Sequence, residues 1–261
     1  MCELFGMSSR YPTTVKFSLK AFESHWERPK RKADGWGIAF YRGKDCLLVK
    51  EPVPAGKSET LHFFENNTFR SPLVISHLRR AGKGAKRSFV NTQPFTKELY
   101  GHKFVFAHNG FLPQIFHRKD FRLSHFQPLG ATDSEYAFCF LLGRMKEELG
   151  KDGINNLYSM RCLLNHYASE IDRLGKFNFL MSDSRYLYAF RSDKFYTAQR
   201  DCICRVENLK GGPLSIKMGP ICPTRNQQVR LIATEPLTED NCWNPLLRKK
   251  LVIFYKGKKI D

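Results

Sequence analysis

The sequence predicts a fold of the α+β class, because strand-like segments come first, two helical segments follow, and strand-like segments return afterwards. Aromatic and β-branched residues mark the strands, and apolar residues at helical spacing mark the middle of the chain. With 261 residues, of which 42% are hydrophobic, the chain can bury a substantial core. It has no internal repeat and no clear linker, so we predict a single domain over residues 1–261.

The first half of the chain is predicted to contain several short strands. Residues 36–41 and 46–50 flank the turn-forming segment Arg42-Gly43-Lys44-Asp45 and therefore predict a β-hairpin. Residues 73–78 and 104–108 have the length and composition of buried strands.

Two helices are predicted in the middle of the chain. The first begins at a capping box, in which the side chains of Thr132 and Glu135 satisfy the first free amides. Behind this box, apolar residues recur at helical spacing, and Gly150 follows close after the end. The second helix is predicted from about residue 154 to residue 174. Four strands are predicted to follow it, at residues 177–182, 186–190, 229–234 and 251–255.

The composition restricts the functional classes. The net charge of +18 raises nucleic-acid binding as one interpretation. The positive charge is scattered, however, and neither zinc-finger spacing nor a ribonucleoprotein-type aromatic signature is present. A solvated basic surface is therefore preferred, and specific nucleic-acid binding is not expected.

The N-terminal segment does not resemble an export signal, because Glu3 stands where a basic region is expected and no long apolar run follows. No apolar stretch is long enough to cross a bilayer, so we expect a cytoplasmic protein with no membrane segment. The eight cysteines include no Cys-x-x-Cys pair, which argues against a zinc site and a disulfide framework. No metal or cofactor is predicted, and the cysteines other than Cys2 are expected to be small core residues.

Cys2 is the candidate nucleophile. A cysteine attacks as the thiolate, and an ordinary thiol with a pKa of about 8.5 needs a base or a positive neighbour. Removal of Met1 gives Cys2 a free α-amine, whose pKa of about 7.7–8.0 leaves part of it unprotonated at neutral pH. Considered alone, a Met-Cys start is weak evidence and is better explained by a chance second residue.

Further segments supply the other groups that hydrolysis of an amide requires. Asn109 and Gly110 follow an apolar strand and offer a side-chain amide and a backbone N–H to a developing oxyanion, although Asn-Gly is also a common hairpin turn. Arg79 can form a bidentate fork with a carboxylate. Asp133 can pair with an ammonium group, although an acidic residue in the first turn of a helix is also simply favourable there.

Together these segments resemble the class II glutamine amidotransferase family, and the similarity covers essentially the whole chain. The motifs, in order, are Met1-Cys2-Glu3-Leu4-Phe5-Gly6-Met7, Gly35-Trp36-Gly37-Ile38, His77-Leu78-Arg79, Asn91-Thr92-Gln93-Pro94-Phe95, His108-Asn109-Gly110 and Thr132-Asp133-Ser134-Glu135. Each motif is short, but their joint occurrence in this order is specific. One departure is Gln93, which stands where a histidine is common in the family.

The resemblance implies an N-terminal nucleophile hydrolase fold, a four-layer α/β/β/α sandwich with two packed antiparallel sheets. It also implies roles for the site residues. Cys2 attacks the carboxamide carbon to form a γ-glutamyl thioester, and Asn109 and Gly110 form the oxyanion hole. Arg79, preferred over its neighbour Arg80 from its spacing to His77, holds the substrate carboxylate, and Asp133 holds the ammonium group. His108 is included among the substrate-binding residues.

Three functions follow from these expectations. The first is release of glutamate and ammonia from glutamine. Because the glutaminase-like domain takes up all 261 residues, either a separate acceptor protein receives the ammonia or the enzyme is only a hydrolase. The second is hydrolysis of a γ-glutamyl amide bond in a small thiol peptide or related metabolite, which uses the same site. The third is a basic nucleic-acid-binding protein without activity.

Overall fold

The computed structural model describes residues 2–15, 33–67, 69–80, 87–201, 206–208, 215–217, 226–239 and 242–260. The strands are β1 (Glu3–Thr14), β2 (Gly35–Arg42), β3 (Asp45–Glu51), β4 (Arg70–Arg79), β5 (Phe95–Leu99), β6 (His102–Phe111), β7 (Lys176–Ser182), β8 (Leu187–Phe190), β9 (Tyr196–Asp201), β10 (Val206–Asn208), β11 (Ser215–Lys217), β12 (Gln228–Ala233), β13 (Trp243–Pro245), β14 (Leu251–Tyr255) and β15 (Lys258–Ile260). The α-helices are α1 (Glu59–Asn66), α2 (Asp133–Arg144), α3 (Gly150–Gly153) and α4 (Leu157–Asp172).

Most of these strands form two antiparallel sheets. The first sheet has seven strands in the order β13-β9-β12-β1-β4-β2-β3, and the second has six in the order β15-β14-β8-β7-β6-β5. Strands β10 and β11 pair with each other. The strand that begins at Glu3 therefore lies inside the first sheet, between β12 and β4.

The two sheets pack face to face, and helices cover their outer faces. Side chains such as Leu4 and Ile75 of the first sheet and Ala107 of the second share the buried layer between the sheets. Leu61 and Phe64 of α1 pack on the outer face of the first sheet. Apolar residues of α2 and α4 pack on the outer face of the second sheet. The predicted four-layer α/β/β/α sandwich is confirmed.

Strand alternation brings the candidate residues to the layer between the sheets. Side chains two residues apart point to the same face of a strand. Cys2 therefore shares the inner side with Leu4, and Asn109 shares it with Ala107. Arg79 in the same way follows the inward-facing Ile75 on β4. These three residues lie at or near the ends of their strands, and the packing of the two sheets brings them to the same edge of the buried layer.

The helix predictions need two corrections. The predicted helix over residues 154–174 spans only Leu157–Asp172, because the Asn156 side chain accepts a hydrogen bond from the Ser159 amide at 3.1 Å and caps the helix there. In the capping box, Thr132 accepts from the Glu135 amide as predicted, at 3.2 Å. The Glu135 carboxylate instead accepts from the amides of Leu129 and Gly130, so it fixes the preceding turn.

The cysteines correct a further expectation. Cys139 is buried as predicted, whereas Cys162 is exposed on α4, and Cys46 and Cys242 are partly exposed. Cys202, Cys204 and Cys222 lie outside the described residues. Among the helices that the structure describes, none is long and apolar enough to span a membrane.

Candidate active site

The Cys2 thiol lies between two strand ends that are far apart in sequence. Its Sγ accepts a hydrogen bond from the Arg80 backbone amide at 3.3 Å. The Asn109 side-chain amide donates to the Cys2 carbonyl oxygen at 2.6 Å. The structure therefore brings together the predicted nucleophile and the predicted oxyanion donor, which are 107 residues apart.

The surroundings of Cys2 act in opposite directions on its acidity. Burial raises the pKa of the Cys2 thiol above its ordinary value, while the Arg80 amide and the Arg79 charge lower it. The net shift is upward, so the thiol is mostly protonated at neutral pH. Formation of the thiolate therefore needs a base close to the sulfur.

Asn109 and Gly110 are not in a hairpin turn. Both belong to β6, where Asn109 pairs with Asn178 and Gly110 with Phe177 of β7. The alternative interpretation of this dipeptide as a turn is therefore wrong. Gly110 is required by a close approach, because a Cβ atom here would overlap the Lys176 carbonyl oxygen.

A cavity of about 200 Å³ opens beside the thiol. Its lining consists of Cys2, Glu3, Arg80, Asn109, Lys194, Thr234 and Glu235. Two of these residues carry positive charge and two carry negative charge. Lys194, Thr234 and Glu235 received no role from the sequence, because only the fold brings the end of β8 and the end of β12 next to Cys2.

Arg79 lies next to this cavity in the buried layer, with only 7% of its surface exposed. Its Nη1 atom is 3.2 Å from the Asp34 carboxylate. The Asp34 amide also donates to the Arg79 carbonyl oxygen at 2.9 Å. Asp34 therefore holds the guanidinium in place at the end of β4 and balances part of its charge.

Asp133 joins the start of α2 to the chain that leaves β6. One carboxylate oxygen accepts from the Leu112 amide at 2.6 Å, and the other accepts from the Ser134 amide at 2.8 Å. These bonds fix the carboxylate two residues beyond Gly110. Asp133 can be both a favourable charge at the start of the helix and the predicted partner of an ammonium group, since each carboxylate oxygen has a second lone pair.

His108 lies on the helix side of β6, with 1% of its surface exposed. Its Nδ1 is 2.8 Å from the Ser134 hydroxyl, and its Nε2 is 3.1 Å from the Lys176 carbonyl oxygen. The carbonyl requires Nε2 to carry the proton, so Ser134 donates to Nδ1. The ring is therefore held by protein groups and is not among the residues that line the cavity.

Gln93 connects the loop before β5 to the candidate site by hydrogen bonds. Its side-chain oxygen accepts from the His108 backbone amide at 2.6 Å, and its side-chain nitrogen donates to the His108 carbonyl oxygen at 3.2 Å. The same nitrogen lies 3.3 Å from the Ser134 hydroxyl. Gln93, the departure from the family pattern, thus ties the loop to β6 and α2 with a neutral amide.

His77 is fully buried between the sheets, and neither ring nitrogen has a hydrogen-bond partner among the described residues. Burial, together with His108 and Arg79, lowers the pKa of His77 to about 3. The unfolded chain binds a proton near pH 6.5, whereas the folded chain does so only near pH 3. Stability is therefore lost as the pH falls through this window, by about 2 kcal/mol between pH 7 and pH 5 from His77 alone.

We expect His77→Gln to reduce this loss of stability. Because His77 is the group that stays neutral, a variant without it should lose less free energy of unfolding between pH 7 and pH 5. Burial also lowers the pKa of His108, so part of the pH dependence remains. Urea unfolding at both pH values measures the difference, and His117→Gln at an exposed position is the matched control. An equal loss in the wild type and His77→Gln would contradict the assignment.

The sequence model of the family described as class II glutamine amidotransferases matches residues 1–261. The chain belongs to the class II glutamine amidotransferase family. It is 33% identical over 260 residues to an Escherichia coli protein named "Putative glutamine amidotransferase YafJ", and the match covers all of both chains. It is 31% identical to the uncharacterized protein MJ1515 of Methanocaldococcus jannaschii, over the whole of this chain and 71% of that protein.

Solved structures of similar proteins have the same fold. The structure described as a "predicted glutamine amidotransferase" from Pseudomonas aeruginosa superposes with a TM-score of 0.73 at 29% identity, over all of both chains. The glutamine phosphoribosylpyrophosphate amidotransferase of B. subtilis superposes with a TM-score of 0.64 at 14% identity, over 99% of this chain and 48% of that one. Membership of this family indicates an enzyme that acts on amide C–N bonds. The superpositions show the N-terminal nucleophile hydrolase fold.

Proposed function

We propose that this protein hydrolyses the side-chain amide of glutamine, with Cys2 as an N-terminal nucleophile. The observation that carries the proposal is the contact between the Asn109 amide and the Cys2 carbonyl oxygen. This hydrogen bond holds the Asn109 side chain against the residue that carries the sulfur, on the same inner side of the sandwich. Nucleophile and oxyanion donor must lie this close together for acyl transfer.

The proposed reaction begins with removal of Met1, which leaves the Cys2 α-amine as the base. The amine takes the thiol proton, and Sγ attacks the carboxamide carbon. A side-chain N–H of Asn109 and the backbone N–H of Gly110 stabilise the oxyanion. The amine then gives the proton to the leaving nitrogen, ammonia departs, and water attacks the γ-glutamyl thioester to release glutamate.

Two properties of the structure support this sequence of steps. The upward shift in the pKa of Cys2 makes a neighbouring base necessary, and a free α-amine supplies one on the same residue as the sulfur. Asn109 has two side-chain N–H donors, one of which binds the Cys2 carbonyl oxygen. The other is the donor proposed for the oxyanion.

The test is to incubate the purified protein with glutamine and, separately, with γ-glutamyl dipeptides. Released ammonia and released amine are measured, and the Cys2→Ala variant is the control. We expect a γ-glutamyl adduct on Cys2 in mass spectra of rapidly quenched wild-type protein. Turnover that persists in Cys2→Ala, or a complete lack of turnover with every substrate in the Met1-free protein, would contradict the proposal.

Arg79→Lys is expected to raise KM for glutamine by about tenfold and to change kcat less. Lysine keeps the positive charge but loses the planar fork, so binding shared by the ground state and the transition state is weakened first. Steady-state kinetics measure both constants. Arg80→Lys is the matched control, because Arg80 contributes its backbone amide to Cys2 and that amide is retained. The reverse result would assign the substrate carboxylate to Arg80.

The cavity beside Cys2 favours a second candidate function, hydrolysis of γ-glutamyl amides with a larger leaving group. Glutamine releases only ammonia, which is similar in size to a water molecule and occupies roughly 30 Å³. The cavity of about 200 Å³ is lined by Cys2 and Asn109, so it has room for the scissile amide together with a substituent on its nitrogen. When glutamine is the substrate, we propose that the released ammonia passes to a separate acceptor protein. We also propose that the basic surface binds nucleic acid only weakly.

A further inference from the structure

The cavity next to Cys2 is lined by Cys2 and Asn109, which are proposed to contact the reacting carbonyl, and by residues that have no proposed contact with the glutamyl α-carboxylate or α-ammonium group. Its lining residues include neither Arg79 nor Asp133. If those two residues hold the α-carboxylate and α-ammonium groups and Cys2 attacks the side-chain carbonyl, the glutamyl part of the substrate is accounted for. The substituent on the amide nitrogen is then the part that remains for the cavity.

Two lining residues of this cavity, Asn109 and Lys194, are joined by Asn178, which is 2% exposed and pairs with Asn109 across the sheet. Its side-chain oxygen accepts from three consecutive amides, those of Ser192, Asp193 and Lys194, at 2.9, 3.1 and 3.2 Å. Its side-chain nitrogen donates to the Asn109 carbonyl oxygen at 3.1 Å. The same nitrogen donates to the Asp193 carboxylate at 2.7 Å.

This buried side chain therefore locks the backbone of Lys194 to the strand that carries Asn109. A fully satisfied buried polar group of this kind rigidifies its surroundings and is costly to disturb. Asp193 is held from a second direction by Lys176, at 2.7 Å. Hydrogen bonds from Lys176 and Asn178 outweigh burial and lower the pKa of Asp193, so it stays ionised.

The Lys194 side chain extends from this fixed point into the cavity wall. Its Nζ atom is 3.9 Å from the Glu235 carboxylate, which is beyond hydrogen-bond distance. The side chain is 43% exposed, so the pair is weak and Nζ can take another anionic partner. Arg80 adds a second positive charge to the lining, and together with Lys194 it offsets the carboxylates of Glu3 and Glu235.

The chemistry of an amide restricts what this ammonium group can bind. The leaving nitrogen is already part of the scissile bond, so an amino-acid leaving group retains its carboxylate as the remaining main-chain charge. We propose that Lys194, positioned by Asn178, binds the carboxylate of an amino-acid leaving group. The preferred substrates are then γ-glutamyl amides of amino acids, a conclusion that rests on the proposed Cys2 hydrolase.

Hydrolysis of such a γ-glutamyl amide follows the same steps as the proposed hydrolysis of glutamine. The bond between carbonyl carbon and amide nitrogen breaks while the bond between that carbon and Sγ forms. The nitrogen takes the proton that the Cys2 amine received from the thiol, and the amino acid leaves as a free amine. Water then hydrolyses the thioester to glutamate and regenerates the thiol.

The experiment compares leaving groups of different charge in the Met1-free enzyme. The substrates are γ-glutamylglycine, whose leaving group carries a carboxylate, γ-glutamylethylamide, whose leaving group lacks one, γ-glutamyl-(2-aminoethyl)amide, whose leaving group is cationic, and glutamine. We expect the wild type to have a kcat/KM for γ-glutamylglycine at least about tenfold above that for γ-glutamylethylamide, the typical effect of a hydrogen bond to a charged group.

Lys194→Met should remove this preference by raising KM for γ-glutamylglycine about tenfold, and leave γ-glutamylethylamide and glutamine within about twofold of the wild type. Lys194→Arg keeps the charge and should keep the preference. Lys151→Met, at an exposed position on α3, is the matched control and should change nothing. Asn178→Asp retains the size of the side chain but loses both N–H donors, and should lose the preference as Lys194→Met does.

Several results would overturn the inference. Equal kcat/KM for γ-glutamylglycine and γ-glutamylethylamide would show that Lys194 does not select the leaving group, and a preference for the cationic amide would assign selection to Glu235. A uniform loss with all substrates in Lys194→Met would make Lys194 structural. In each case hydrolysis through Cys2 itself stands, whereas an enzyme inactive on all four substrates fails both the inference and the proposed function.

Discussion

Any residue retained before Cys2 is expected to leave the protein folded but to lower kcat by at least about 10²-fold, the usual contribution of a general base. An additional residue converts the α-amine, the proposed base, into a non-basic amide. The structure makes this loss severe, because burial raises the pKa of the Cys2 thiol and an unassisted thiol stays protonated. The extension also starts next to the cavity where the substrate's amide must lie.

The comparison uses one tag in two places. A tag before Cys2 that cannot be removed should abolish turnover, whereas the same tag after Asp261 should not. Circular dichroism and thermal unfolding check that both forms are folded, and mass spectrometry of the active form should show the loss of one methionine. Full activity with Met1 attached would overturn the N-terminal nucleophile mechanism.

Labelling of thiols is a weaker test of the same idea. The sequence suggested that Cys2 alone is accessible, but Cys162 is exposed on α4. Alkylation at Cys2 must therefore be followed residue by residue. The exposed position of Cys162 was missed although helix geometry indicates it, because Cys162 lies across α4 from the apolar residues Leu164 and Ile171.

The α+β class and several strands of the sandwich could be predicted from local patterns. The hairpin of β2 and β3 has turn residues between two apolar runs, and the structure places it where the sequence did. Helix α1 was not predicted, although the sequence contains a signal for it. Ser58 caps it by accepting from the Leu61 amide at 2.9 Å, and Leu61 and Phe64 have the spacing of one helix face.

The predicted site residues differ in how much of their environment the sequence could reveal. Cys2 and Asn109 were found because their chemistry is unusual and their motifs resemble those of the family. The proposed roles of Asn178 and Lys194 depend on the pairing of β6 with β7 and on the chain that leaves β8. Such long-range partners have no local signal, and an asparagine inside an apolar strand is the only hint that one was required.

Asn109→Ala is expected to lower kcat by about 10²- to 10³-fold, the usual loss for one oxyanion donor. Here the substitution removes two interactions, since one N–H of this side chain also holds the Cys2 carbonyl oxygen at 2.6 Å. The fold should persist, because the ladder between Asn109 and Asn178 is formed by the backbone. Steady-state kinetics with glutamine and a thermal melt measure the two effects separately.

Asn109→Asp separates hydrogen-bond donation from shape in the same position. It keeps the size of the side chain but replaces the donating amide with a group that only accepts when ionised. Its carboxylate also faces the Cys2 carbonyl oxygen and the developing oxyanion, both of which repel it, so kcat should fall at least as far as in Asn109→Ala. Asn155→Ala, which removes an exposed side-chain amide bonded to the Lys151 carbonyl oxygen, should leave kcat unchanged. Wild-type turnover in Asn109→Asp would show that this side chain does not donate to the oxyanion, and would leave the Gly110 amide as the donor.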